Sequence, residues 1–241
     1  MGHYSLMYRN LDSEKIVITV ETLCRRIEER FPDAGLAQVC RELLIIAGES
    51  QKRSAWIAKP QKTLRLIIGA LVVIIVVGLV LILANSTLPA SGFDFASLVQ
   101  VSEASINICL LLGAAILFIV TTEVRIKRGR ALKAIHELRA LAHVIDMHQL
   151  TKDPERLLAR GTETPSSPKR NLSAFELTRY LDYCSEMLSL IGKLAAMYVQ
   201  KFDDPVALDA VNDVEELTTG LSRKIWQKIV ILNSDLVKAR G

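Results

Sequence analysis

The residues whose types best suit metal binding lie in one short stretch of the chain: His136, His143, Asp146 and His148. At about 100° per residue of an α-helix, His136 and His143 share one face but lie about 10 Å apart along the axis. His148 points to another side, so one helix cannot bring all four side chains to one ion. His143 and Asp146 can form a hydrogen-bonded pair or half of a metal site shared between subunits. We expect a structural or pH-responsive role and keep metal binding as the weaker alternative.

The sequence has none of the common motifs of catalysis or cofactor binding: no GxSxG, Walker loop, GxGxxG or HExxH. We therefore expect no enzymatic activity and no bound cofactor. Asn107 is a polar residue inside an apolar segment, where it can contact a neighbouring helix or line a pore. Helix contact is the interpretation we favour.

Asn107 lies inside the second of two long apolar segments, and the histidines follow that segment. The chain is 50% apolar, and it contains no Lys or Arg between Leu66 and Val124 although it has 30 in total. Residues 63–85 are about the length that a helix needs to cross roughly 30 Å of hydrocarbon. Residues 105–123 are near the lower limit of that length. We predict two transmembrane helices, joined by a short extracytoplasmic loop at 86–104.

The basic residues around these segments predict their direction. Ten of them flank the two segments and none lies in the loop between them: Lys52, Arg53, Lys59, Lys62, Arg65, Arg125, Lys127, Arg128, Arg130 and Lys133. Because cytoplasmic flanks are enriched in Lys and Arg, both termini are expected in the cytoplasm. The localisation that we expect is the bacterial inner membrane.

The remaining segments predict an all-α membrane protein with a cytoplasmic helical bundle. Ser13 is the predicted N-cap of a first helix that ends near Arg30, and a second helix begins near Ala34 and ends before Pro60. The predicted regions are N-terminal helices over 1–62, a stalk over 124–153 that continues the second span, a linker over 154–172, and a C-terminal antiparallel helical hairpin over 173–241.

The hairpin has the clearest helical pattern. Ser173 and Glu176 form a capping box that predicts a helix start, and Asp204 followed by Pro205 predicts the start of the second helix. Apolar residues follow each other at intervals of three and four along the first helix, forming a predicted packing seam: Leu177, Leu181, Cys184, Leu188, Ile191, Ala195, Tyr198 and Phe202. We expect this seam to leave some apolar surface for a second copy of the chain.

Composition excludes some classes of partner and leaves others open. The net charge is +4, but the basic residues concentrate beside the apolar segments, so we expect no nucleic-acid partner. Cys24, Cys40, Cys109 and Cys184 have no CxxC spacing and are expected to be reduced. The expected partners are the lipid bilayer, further copies of the chain in a homo-oligomer, and a cytoplasmic protein.

The function that these patterns favour is a non-enzymatic membrane scaffold or signal-relay protein that self-associates. The alternative is an oligomeric pore or membrane-perturbing effector with a cytoplasmic sensing region. Two spans alone cannot enclose a channel, so the alternative requires several copies.

Overall fold

The computed structural model describes residues 10–60, 62–85, 95–154 and 172–238, and these residues contain six helices and no strand. The helices are α1 (Ser13–Arg30), α2 (Gly35–Ala58), α3 (Lys62–Asn85), α4 (Phe95–Leu150), α5 (Ala174–Val199) and α6 (Pro205–Lys238). The predicted linker lies almost wholly outside the described residues. Of the predicted loop, residues 86–94 also lie outside them, whereas 95–104 are helical.

The chain divides into two compact units. One comprises Met1–Ala58 and Arg128–Gly241 and is called the bundle below; the other comprises Lys59–Lys127 and is called the apolar unit. The helix α4 contributes its first part to the apolar unit and its second part to the bundle.

Polar side chains cap the helices of the bundle. Asp12, not the predicted Ser13, caps α1, because its carboxylate accepts a hydrogen bond of 2.9 Å from the amide of Glu14. The predicted capping box of α5 is present: Ser173 Oγ accepts from the Glu176 amide, and Glu176 Oε2 accepts from the Ser173 amide. Asp204 Oδ1 accepts from the Ala207 amide at 3.0 Å and caps α6.

The core of the bundle forms around α5, which packs against α1, α2 and α6. The predicted seam of α5 is buried throughout except at Phe202, which is partly buried. Apolar residues of α1, α2, α6 and the second part of α4 complete the same core. The N-terminal helices and the chain's own hairpin therefore cover the seam, which leaves little of it for a second copy.

The apolar unit has the opposite pattern of burial. Its large aliphatic and aromatic side chains are mostly exposed, among them Leu66, Ile74, Leu110, Leu117 and Phe118. Among the described residues one helix, in the segment Ser102–Leu150, is long and apolar enough to cross a membrane, and only 6% of its most apolar stretch is buried. The apolar part of α3, Arg65–Gly78, is shorter. Two spans are thus not confirmed; the structure supports one.

Candidate functional site

The four candidate metal ligands do not form a site in the described part of the chain, which contains no group of three or more metal-binding side chains. His136 and His143 are exposed on α4, whereas Asp146 and His148 are partly buried. Asp146 Oδ1 accepts a hydrogen bond of 2.6 Å from Gln149 Nε2 instead of pairing with His143.

His148 packs against the start of α2. A Cβ atom added at Gly35 would come within 2.5 Å of His148 Cε1, which is closer than side-chain carbons approach. The imidazole of His148 therefore fits in its observed position because Gly35 has no side chain. This contact assigns His148 a packing role between α4 and α2.

Gln149 joins the end of α4 to α6. Lys228 Nζ donates to the Gln149 carbonyl at 2.9 Å and to Gln149 Oε1 at 2.7 Å. Gln149 is buried, so these bonds satisfy polar atoms that have left water. Burial of the ammonium lowers the pKa of Lys228.

Several residues of the basic flanks pair with carboxylates. Arg53 of α2 pairs with Glu49 and with Glu137 of α4. In the apolar unit, Glu123 of α4 accepts from Arg65 of α3 at 3.1 Å and from Lys127 at 2.9 Å. Since Arg65 begins the apolar part of α3 and Glu123 ends that of α4, this pair holds the two ends of the apolar segments side by side.

Other flank residues remain at the surface. Lys59, Lys62 and Arg125 are exposed, whereas Arg128 forms a bidentate pair with the buried Asp204. The hydrogen bonds from Arg128 hold the pKa of Asp204 below its usual range.

Asn107 is exposed on α4, and its side chain makes no hydrogen bond to a described residue.

The expectation that all cysteines are reduced is wrong for two of them. Cys24 of α1 and Cys40 of α2 form a disulfide with their Cα atoms 5.5 Å apart. The pairing follows from the antiparallel packing of α1 and α2, which brings together two residues 16 positions apart. Cys109 is a free thiol on α4, and burial raises the pKa of the free thiol of Cys184 to about 12.

Arginine and aromatic side chains meet between α1 and α5. Arg26 and Arg179 lie over the ring of Tyr183 at 5.2 and 5.1 Å, and Arg30 lies over Phe175 at 5.2 Å. Arg26 also pairs with Glu186, and Arg179 with Asp182. These carboxylates balance most of the positive charge, so the cluster is better explained as packing of α1 on α5 than as an anion site.

A groove of about 730 Å³ opens between α1, α5 and α6. Its apolar floor is formed by Ile16, Leu190, Ile225 and Ile229, and Trp226, which is 63% exposed, forms part of one wall. We call it the Trp226 groove. Helical periodicity did not indicate it, because an exposed Trp beside a buried stripe does not alter the apolar spacing.

The second tryptophan is near the end of α2. Trp56 is 49% exposed, and the Arg130 guanidinium lies 4.4 Å from the centre of its ring. Arg130 Nη1 also donates to the Trp56 carbonyl at 3.1 Å. The sequence indicated Arg130 only as one of the basic flank residues, since the contact with Trp56 joins positions 74 residues apart.

A comparison of the chain with protein-family models, with curated proteins and with solved structures finds no match.

Proposed function

We propose that this chain is a non-enzymatic integral membrane protein that crosses the bilayer twice and acts as a self-associating helical scaffold. The supporting observation is the exposure of the apolar side chains of α4, of which Leu110, Leu117 and Phe118 are each at least 65% exposed. Water would oppose such exposure at a cost of roughly 25 cal/mol per Å² of apolar surface, whereas lipid tails would not.

The proposed second crossing rests on the pairing of the two apolar segments. Arg65 Nη2 lies 3.1 Å from Glu123 Oε1, so one end of the apolar part of α3 meets one end of that of α4. A hairpin of two apolar helices has this arrangement when both flanks are on one side of a membrane. The ten basic flank residues favour the cytoplasm as that side.

Thiol labelling tests the topology. A cysteine in place of Ser91, in the proposed outer loop, should react with a membrane-impermeant maleimide in intact cells. A cysteine in place of the exposed Gln51 of α2 should react only after the cells are opened. Both cysteines are introduced into Cys109→Ala, which is also the blank, because Cys109 is an exposed free thiol whereas Cys24, Cys40 and Cys184 are buried. Labelling at Gln51 but not at Ser91 in intact cells would show that the orientation is the opposite of the one proposed.

The proposed self-association involves Asn107 instead of the α5 seam. The seam is buried within the bundle, whereas Asn107 is exposed on the apolar part of α4. An amide in hydrocarbon is stabilised when it reaches a polar group on a neighbouring helix, by about 0.6 to 2 kcal/mol.

The mass of the protein in detergent tests self-association. Light scattering corrected for bound detergent should give more than one copy per particle for the wild type. Asn107→Leu should shift the equilibrium toward the monomer, while Cys109→Ala, at another exposed position of the same helix, should not. A wild-type monomer at every accessible concentration would contradict the proposal.

The pore remains the second candidate function. Asn107 and Glu103 are both exposed on α4 and are polar groups that a water-filled oligomeric channel would accommodate. Ion flux through liposomes that contain the purified protein would favour the pore, and its absence for particles shown to be oligomeric would favour the scaffold.

A further inference from the structure

Positively charged side chains gather at one end of the apolar unit. Arg65, at the start of the apolar part of α3, donates through Nε and Nη2 to the two carboxylate oxygens of Glu123 at 3.2 and 3.1 Å. Lys127 Nζ lies 2.9 Å from Glu123 Oε1. Two cations therefore share one carboxylate, and Nη1 of Arg65 bonds to no described residue.

Three further cations of the same unit lie close by in the chain and have no carboxylate partner. Lys59 and Lys62 come shortly before Arg65. Arg125 comes two residues after Glu123. These three side chains are exposed, and no ion pair or hydrogen bond joins them to the described part of the chain. We call the five cations together with Glu123 the basic end of the apolar unit.

The basic end has an excess of positive charge. Five cations and one carboxylate give it a net charge of +4. The other described carboxylate of this unit, Glu103, precedes Glu123 by 20 residues on α4 and lies about 30 Å away along the helix axis. The charge is therefore not neutralised by the described residues of the unit, and the complementary partner is an anion.

The same two helices place this charge directly beside an apolar surface. Leu66, next to Arg65, and Val120 on α4 are both exposed. At a rise of about 1.5 Å per residue, Lys62 lies about 6 Å from Leu66 along α3, and Arg125 lies about 8 Å from Val120 along α4. The headgroup layer on each side of the hydrocarbon is about 5 to 8 Å thick. When the apolar surface lies in hydrocarbon, these cations are therefore at the level of the headgroups, whichever side of the membrane they face.

We propose that the basic end binds the phosphates of anionic phospholipids. The unpaired Lys62 and Arg125 donate charge-assisted hydrogen bonds to the phosphate oxygens. The acyl chains of the same lipid lie against the neighbouring apolar surface, which a soluble phosphate cannot cover. This inference rests on the proposed membrane insertion. It goes beyond that proposal because it names the class of lipid and the side chains that recognise it.

Quenching by spin-labelled lipid tests the proposal at the site itself. The full-length chain in the Cys109→Ala background carries a fluorophore on one introduced cysteine, either Thr63→Cys beside Lys62 or Val99→Cys near the other end of the apolar part of α4. Each protein is inserted into phosphatidylcholine vesicles that contain a trace of phosphatidylglycerol or of phosphatidylcholine with a spin label on the acyl chain near the headgroup.

The ratio of quenching by the two lipids gives the local preference for the anionic one. Spin-labelled phosphatidylglycerol should quench the fluorophore at position 63 several-fold more than spin-labelled phosphatidylcholine does. The two lipids should quench the fluorophore at position 99 equally. Because the labelled lipid is present in both leaflets, the result does not depend on the direction of insertion.

Charge variants test the cations. Lys62→Gln should lower the preference at position 63 by about fivefold, the effect expected of one basic residue at an anionic surface, and Lys62→Arg should retain it. Lys224→Gln is the matched control, because Lys224 is an exposed lysine of α6 and its loss changes the net charge equally. An equal effect of Lys62→Gln and Lys224→Gln would show attraction by net charge alone and would overturn the assignment.

Two other outcomes are distinguishable. If the protein floats with the vesicles and resists alkaline extraction but both lipids quench the fluorophore at position 63 equally, the membrane proposal stands and the headgroup site is overturned. If the protein does not insert, both fail, and the flotation step shows it before any fluorescence is measured.

Discussion

Arg128 binds both carboxylate oxygens of Asp204: its Nε donates to Oδ1 at 3.1 Å and its Nη2 donates to Oδ2 at 2.8 Å. Asp204 is only 3% exposed and also accepts from the Ala207 amide. One carboxylate thus caps α6 and joins it to the second part of α4. Arg128 was indicated by the sequence as a topology determinant, and the structure adds this role in packing.

The first prediction concerns how the stability of the bundle changes at acidic pH. Because the Arg128 hydrogen bonds lower the pKa of Asp204 in the folded state, its stabilising contribution is complete above about pH 4. It is lost as the pH falls below that value toward the lowered pKa of the folded state. Asp204→Asn should lower the unfolding midpoint in urea at pH 7 and flatten its decline between about pH 4 and 2. An unchanged decline would assign the acid sensitivity to other carboxylates.

The second prediction concerns the α5 seam. Leu188 is fully buried inside the bundle, so Leu188→Ala should lower the free energy of unfolding by about 2 to 5 kcal/mol. Val230→Ala on α6 is the control, since Val230 is 48% exposed and should change stability by less than about 0.5 kcal/mol. Loss of self-association by Leu188→Ala without loss of stability would mean that the seam faces a second copy.

The local pattern of the hairpin was predictable from sequence, whereas its long-range contacts were not. The spacing of Leu177, Leu181 and Leu188 correctly indicated one buried face, because helical geometry places such residues on one side. Nothing local shows that Arg128 meets Asp204, since 76 residues separate them and the pairing depends on how α4 packs against the start of α6.

The two errors at α1 also have physical reasons. Asp12 and Ser13 are adjacent and both suit an N-cap, and only the backbone geometry at Asp12 shows which one bonds the Glu14 amide. Cys24 and Cys40 pair because of the register of α1 against α2. Register depends on the turn between the helices and on side-chain packing, and spacing in the sequence does not determine it.

The third prediction compares the effects of alanine substitution at two glycines of α2. Gly48 is exposed in the helix interior with open space around it, so Gly48→Ala should stabilise the bundle by roughly 0.5 to 1 kcal/mol. Gly35→Ala should destabilise it, because the added carbon would displace His148. Adding His148→Ala to Gly35→Ala should recover stability in a double-mutant cycle. Independent, additive effects of the two changes would contradict the packing role of His148.

The last prediction concerns the disulfide between Cys24 and Cys40, which closes a loop between residues 16 positions apart. Such a bond restricts the unfolded chain, so reduction should lower the free energy of unfolding by about 3 kcal/mol. Denaturant titrations of the purified protein with and without reductant measure this difference. The double variant Cys24→Ala, Cys40→Ala should not respond to reductant, which excludes effects on Cys109 and Cys184. Equal stability of the wild type with and without reductant would contradict a stabilising role for the bond.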